Sequence, residues 1–141
     1  MSTTLTPNLM SEDLNASVVF YRDILGFRFL AGMPFGGERP VDVFQDDVPL
    51  QWAMLELDGA RVMFQVRTSM AREYPPLGDV ELGASATLYL EVEGLDSLLQ
   101  RLDASVEFLL PDHVTFYGMR EAWIRDNNGY LLVLAEKANP C

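Results

Sequence analysis

Residues 13–27, Asp13-Leu14-Asn15-Ala16-Ser17-Val18-Val19-Phe20-Tyr21-Arg22-Asp23-Ile24-Leu25-Gly26-Phe27, constrain this chain more than any other stretch. Asp13 is a residue that caps the open N–H groups of a helix start. Leu14, Val18, Tyr21 and Leu25 follow at steps of four, three and four, so one stripe of a helix is apolar, and Ile24 widens it. Gly26 stands where a left-handed C-terminal cap is wanted, and Phe27 opens an apolar run that reads as a strand. A helix with one greasy stripe, followed at once by a strand, needs a sheet face to lie on.

The rest of the chain supplies that face, and then repeats the arrangement. Leu5 to Met10 reads as a strand, with Pro7 marking an edge or a break in its ladder. Phe27 to Ala31 is a second strand. Gly32 to Asp47, with Pro34, Gly36-Gly37 and Pro40, reads as a mobile loop carrying Phe35 and Phe44. Leu50 to Leu57 and Ala60 to Arg67 flank Asp58-Gly59, a pair suited to a type I′ hairpin turn. Alternation sends Ala53, Leu55, Leu57, Val62, Phe64 and Val66 toward the helix. Trp52, Met54, Glu56, Met63, Gln65 and Arg67 then face the other way. Thr68 to Gly83, with Pro75-Pro76, reads as a short helical turn and a linker. A strand (Ala86 to Glu93), a helix (Leu95 to Leu102) and a strand (Val106 to Leu110) follow. A hairpin of Arg120 to Arg125 and Tyr130 to Glu136 around Asn127-Asn128-Gly129 completes the order βαβββ twice. Each half has one sheet face under a helix and one free. The free faces carry Trp52, Met54, Tyr89 and Trp123, which are apolar enough to need covering.

Length and charge narrow the classes further. With 141 residues, 49% hydrophobic and 22% charged, the chain is long enough for a buried core and ordinary for a globular protein. A formal charge of -11 argues against nucleic acid as a partner and favours a neutral or cationic one, although an acidic surface also simply confers solubility. The lone cysteine, Cys141, allows neither an internal disulfide nor a thiolate metal cluster. No apolar run approaches a membrane span, and Met1-Ser2-Thr3-Thr4 lacks the features of a signal peptide, so a cytoplasmic protein is expected.

The first helix, read as acidic-Leu, Ser, Phe-Tyr and Leu-Gly-Phe, resembles that of the vicinal oxygen chelate superfamily. This superfamily includes the glyoxalase I, extradiol dioxygenase and bleomycin-resistance-protein families. Gly118-Met119-Arg120-Glu121 leading to Arg125-Asp126-Asn127-Asn128-Gly129-Tyr130 is similar to a second piece of the same pattern. The resemblance implies an α+β fold of two βαβββ modules, residues 5–67 and 84–136 joined by a linker over 68–83. Their mixed sheets form a cupped cavity within a single domain. It also implies that a metal, where relatives hold one, sits at positions matching Thr6, Gln65, Thr87 and Val133. Of these only Gln65 is a usual ligand type, so neither metal nor other cofactor is expected.

His113, the only histidine, follows Pro111-Asp112 between elements. It is either a general acid–base or a surface loop residue, and no carboxylate is placed by spacing to orient it. The ligand-binding candidates are Trp52, Met54, Glu56, Met63, Gln65, Tyr89, Glu91, Met119, Glu121 and Trp123. Blandly they are core aromatics and rim acids. Functionally they are flat walls with negative charge nearby, suited to an aromatic or cationic ligand. The resemblance therefore implies a metal-free, homodimeric protein that sequesters an antibiotic or similar natural product, with no catalytic residues. A glyoxalase-type lyase, isomerase or dioxygenase and an accessory protein holding a biosynthetic intermediate are the alternatives.

Overall fold

Asp13 does cap the first helix. Its carboxylate accepts a hydrogen bond from the Ala16 N–H at 3.2 Å in the computed structural model, which describes residues 2–83, 85–102 and 104–138. The chain divides between Val80 and Glu81 into two units of α+β architecture. In the first, β1 (Asn8–Ser11), α1 (Leu14–Val19), β2 (Arg28–Pro34), β3 (Leu50–Leu57) and β4 (Ala60–Val66) build a sheet of order β1-β4-β3-β2. The second repeats this with β5 (Thr87–Glu91), α3 (Leu95–Arg101), β6 (Phe108–Val114), β7 (Met119–Arg125) and β8 (Leu131–Lys137), in the order β5-β8-β7-β6. In both, the opening strand pairs in parallel with the closing strand and the other pairings are antiparallel.

The apolar stripe of the first helix is buried as its spacing requires: Leu14, Val18, Tyr21 and Leu25 each expose 2% or less. They face Ala53, Leu55 and Phe64, all at 0%, and the rings of Tyr21 and Phe64 meet edge-on at 4.8 Å. The helix is not α throughout. From Phe20 to Ile24 it widens into a π-helical turn, in which the Leu25 N–H reaches the Phe20 carbonyl at 3.4 Å. A single π turn carries no periodic signature, so it cannot be read from the spacing. In the second unit Leu95 and Leu98 of α3 are buried, as are Ala122, Ile124, Leu132 and Leu134 on the sheet face of matching register.

Several boundaries differ from those the sequence predicts. The first strand starts at Asn8 rather than Leu5, because Pro7 has no N–H to give; its carbonyl instead accepts from the Met63 N–H at 2.8 Å. The loop expected from Gly32 begins later, since β2 runs to Pro34, and it is tied back by two backbone hydrogen bonds between Gly32 and Val41. Phe44 packs on Phe29 at 5.6 Å, under the Arg22 guanidinium at 5.1 Å. Asn15 of α1 bonds the Val48 carbonyl and the Leu50 N–H, both at 2.9 Å. The Asp58-Gly59 turn is as expected, with both residues at positive φ.

Arg67, expected on a strand, begins α2 (Arg67–Glu73), a helix inside the supposed linker that buries Met70. Strand β6 extends four residues past its predicted end and so includes His113. Register shifts on either side of Leu110 break its alternation and accommodate Pro111. Ala84, the expected first residue of the second module, and Cys141 lie outside the described residues. Among the described residues no helix is long and apolar enough to cross a membrane.

Candidate functional site

Each unit leaves one sheet face free of its β-α-β helix, and the ladder registers say which side chains share it. In unit 1 the rows are Met33–Trp52–Gln65–Met10 and Ala31–Met54–Met63–Asn8. A cleft of about 370 Å³ lies against this face, lined in part by Trp52, Met63, Gln65, Asn8 and Tyr74. Gln65 is 6% exposed and fully engaged. Its Nε2 donates to Ser69 Oγ at 2.9 Å and to Glu73 Oε1 at 3.0 Å, while its Oε1 accepts from Asn8 Nδ2 at 2.8 Å. Asn8 Oδ1 is buried without a hydrogen-bond partner among the described residues. Glu56, expected to lend negative charge, lies in the row Arg28–Glu56–Arg61. Arg61 at 3.0 Å and Arg28 at 3.3 Å hold its carboxyl below the usual range, so its charge is already neutralised.

Unit 2 concentrates its polar groups on one side chain. The rows of its open face are Tyr89–Val133–Trp123–Leu110 and Glu91–Ala135–Glu121–His113. Glu121, expected at the rim, is 1% exposed. Its Oε2 accepts from the Tyr89 hydroxyl at 2.9 Å and the Tyr117 hydroxyl at 2.5 Å, and its Oε1 accepts from Trp123 Nε1 at 3.1 Å. Burial alone pushes the Glu121 pKa up. The three donors, with His113 nearby, outweigh burial and hold the carboxyl below its ordinary value. Tyr89 feels the converse: burial and the hydrogen bond to Glu121 raise its phenol to about 12. Glu91 is exposed at the edge of the same row and Met119 lies one row beyond. His113 is not a loop residue. It stands opposite Glu121, its ring edge-on to Trp123 at 6.1 Å, and its Nδ1 donates to the Pro111 carbonyl at 2.8 Å.

These two faces belong to a pattern that a family model recognises across most of the chain. The glyoxalase/bleomycin resistance protein/dioxygenase superfamily model matches residues 4–134. The chain belongs to that superfamily. A search of curated protein sequences found no significant match. Among solved structures, TioX from Micromonospora sp. ML1 is similar with a TM-score of 0.67 at 19% identity, over 96% of this chain and 99% of that one. A protein of unknown function from Agrobacterium tumefaciens str. C58 gives 0.70 at 20%, over 97% and 95%. Lactoylglutathione lyase from Agrobacterium tumefaciens gives 0.66 at 18%, over 96% and 94%. At such identities the likeness shows the fold.

For a member of this superfamily the donor set decides whether a metal fits. Unit 1 offers Thr6 and a Gln65 amide whose N–H groups and carbonyl are already taken; Asn8, rather than Thr6, is what touches it. Unit 2 offers Thr87 and Val133. Among the described residues no three of His, Cys, Asp or Glu come together. Hydroxyls, an alkyl group and a committed amide do not suit a divalent ion, so the residues at these positions do not fit one.

The sequence reading missed Tyr117, Asn8, Ser69 and Glu73. Tyr117 sits in a turn four residues before Glu121, and an aromatic pair, Phe116-Tyr117, in an otherwise polar turn was the available signal. The others become partners of Gln65 only through the strand pairing and α2.

The buried carboxylate has a spectroscopic consequence. Tyr89 is one of five tyrosines, and its stabilising hydrogen bond is present below pH 10 and lost as pH rises from 10 to about 12. Near-ultraviolet titration should show Tyr89 and Tyr117 ionising above the usual phenol range, and Glu121→Gln should lower both. Superimposed curves for the two proteins would mean the hydrogen bonds do not form.

Proposed function

We propose that the protein binds a planar aromatic or cationic natural product reversibly and without changing it. It would act in the cytoplasm as a sequestering protein of the drug-resistance or self-resistance type. One observation carries this reading: on each open face the central polar side chain is tied to other side chains while aromatic surface remains open. Gln65 makes three hydrogen bonds to neighbouring side chains and Glu121 accepts three, whereas Trp52, Tyr89 and Trp123 stay half-buried or exposed. Such faces suit stacking better than bond-making. Stacking contributes about 1–3 kcal/mol per ring, so two rings with general burial suffice for micromolar binding. Met54, Met63 and Met119 add polarisable contact surface, and Glu91 adds exposed negative charge for a cationic ligand. Faces this apolar also support a homodimer, in which a second copy covers what the ligand does not.

The test is a titration of bleomycin and of a quinoline- or quinoxaline-bearing peptide, followed by tryptophan fluorescence. At least one should bind with micromolar affinity and be recovered intact, with Trp52→Ala or Trp123→Ala weakening it about tenfold or more. Sedimentation of the same samples should give twice the chain mass; a monomer would remove the dimer. Unchanged affinity in both variants would sink the sequestration reading. His113 opposite Glu121 is the arrangement that would favour an isomerase or lyase instead. A ligand recovered chemically altered by the wild type, but not by His113→Ala, would establish that alternative.

A further inference from the structure

The cluster on the open face of unit 2 presents lone pairs and π surfaces but has given away its hydrogens. Tyr89 and Tyr117 both donate their hydroxyl hydrogens to Glu121 Oε2, and Trp123 donates its indole hydrogen to Oε1. A phenol in that state can only accept from a ligand. His113 lies beside them, its Nδ1 turned away to donate to the Pro111 carbonyl at 2.8 Å. Both phenols remain reachable, with Tyr89 50% and Tyr117 54% exposed, while the carboxylate behind them is 1% exposed.

The charge of Glu121 is also uncompensated by an ion pair. None of the salt bridges among the described residues includes it. The cations sharing this face, Arg125 and Lys137, stand in its outermost rows, opposite Leu131 and Met119, and the Arg125 guanidinium is engaged by the Gly129 carbonyl. The centre is thus a buried negative charge held by two polarised phenols and an indole, with His113 opposite it on β6, each phenol hydrogen bond strengthening the acceptor character of its oxygen.

We propose that this face is a subsite for a planar cation that donates N–H hydrogen bonds, such as an amidinium, guanidinium or protonated amino-heteroaromatic group. Glu121 sets that preference by acting through Tyr89 and Tyr117. The proposal rests on the sequestration reading and adds to it the chemical class of the ligand's head group. A cation over these rings gains both the ring quadrupoles and the buried charge, and its N–H groups meet phenol oxygens that can only accept. An anionic head would bring like charge to Glu121 and find no donor to satisfy it, which is discrimination by repulsion.

Calorimetric titration of 2-naphthamidine, 2-naphthamide and 2-naphthoate tests this, because the three share a ring and differ in charge and donors. Wild-type protein should bind the amidine about tenfold or more tighter than the naphthoate, with the amide between. Glu121→Gln, which keeps the volume and removes the charge, should compress that ratio to about threefold or less. Tyr89→Phe and Tyr117→Phe keep the rings, and each should weaken the amidine several-fold while leaving the naphthoate unchanged; they serve if Glu121→Gln does not fold. A loss caused only by general damage would weaken all three probes together and leave the ratio intact, which overturns the role given to Glu121. Equal affinities in the wild type, or a preference for naphthoate, overturn the subsite while leaving aromatic sequestration standing. Binding of none of the three also overturns it, and the bleomycin and peptide titrations then decide the wider reading separately.

Discussion

Phe64→Ala should cost the first unit about 3–5 kcal/mol, a large share of the roughly 5–15 kcal/mol that holds a domain together. The phenyl ring is fully buried on the helix-facing side of β4 and meets Tyr21 edge-on at 4.8 Å. Tyr21 in turn meets Phe27 at 5.5 Å, so truncation removes the floor of a three-ring stack as well as its own transfer energy. The stripe Leu14, Val18, Tyr21 and Leu25 rests on that floor, and a rigid stripe cannot collapse fully into the space left behind. Phe64→Leu, which refills most of the volume, should cost clearly less. Urea unfolding provides the measurement, and the chain has a reporter for each half, since its two tryptophans, Trp52 and Trp123, lie in different units. In a Trp123→Phe background the signal comes from the first unit alone. A loss below about 1 kcal/mol would mean that Tyr21 and Phe64 do not pack as described.

Gly83→Ala should damage the second unit for a different reason. Gly83 sits at φ +80, where a side chain costs about 1–2 kcal/mol, and an added Cβ would lie 2.6 Å from the Gly129 carbonyl oxygen. That oxygen belongs to the backbone of the β7–β8 turn, so relief requires the segment leading into β5 to move off the turn. Strain and contact together come to about 2–5 kcal/mol. Gly129→Ala is the control: its φ is +95 but nothing lies within 4 Å of its Cβ, so it carries the conformational penalty without the collision. The difference between the two variants isolates the contact. Equal losses would show that the turn and the segment are not pressed together.

What could be read from the sequence was whatever repeats at short range. The stripe of α1, the Asp58-Gly59 hairpin, and the alternation that sends Trp52 and Met63 to one face and Ala53 and Phe64 to the other all follow from residue spacing. The doubled βαβββ order follows from them. Where alternation is interrupted the reading failed: β6 seemed to stop at Leu110 because register shifts around Leu110 and a proline hide its continuation to Val114. That error made His113 a loop residue and concealed its pairing with Glu121. Asn8, which touches Gln65, was not singled out, because that contact depends on the parallel pairing of β1 with β4. Glu121 was expected at the rim and is instead buried. Its face follows from parity, but its burial depends on Tyr89, Tyr117 and Trp123 converging from different elements, and no local pattern encodes that.

The parallel pairing of opening and closing strands gives each unit a temporal order. Asn8 lies opposite Met63, and Thr87 opposite Leu131, so in each unit the strand made first by a ribosome has no ladder partner until the strand made last has emerged. Helix and antiparallel hairpins can form meanwhile from near neighbours, but the opening strand waits through the whole unit and bears the largest loop-closure entropy. During synthesis the exposed edge is therefore β4 or β8 as it arrives, facing a strand of its own chain that is already waiting.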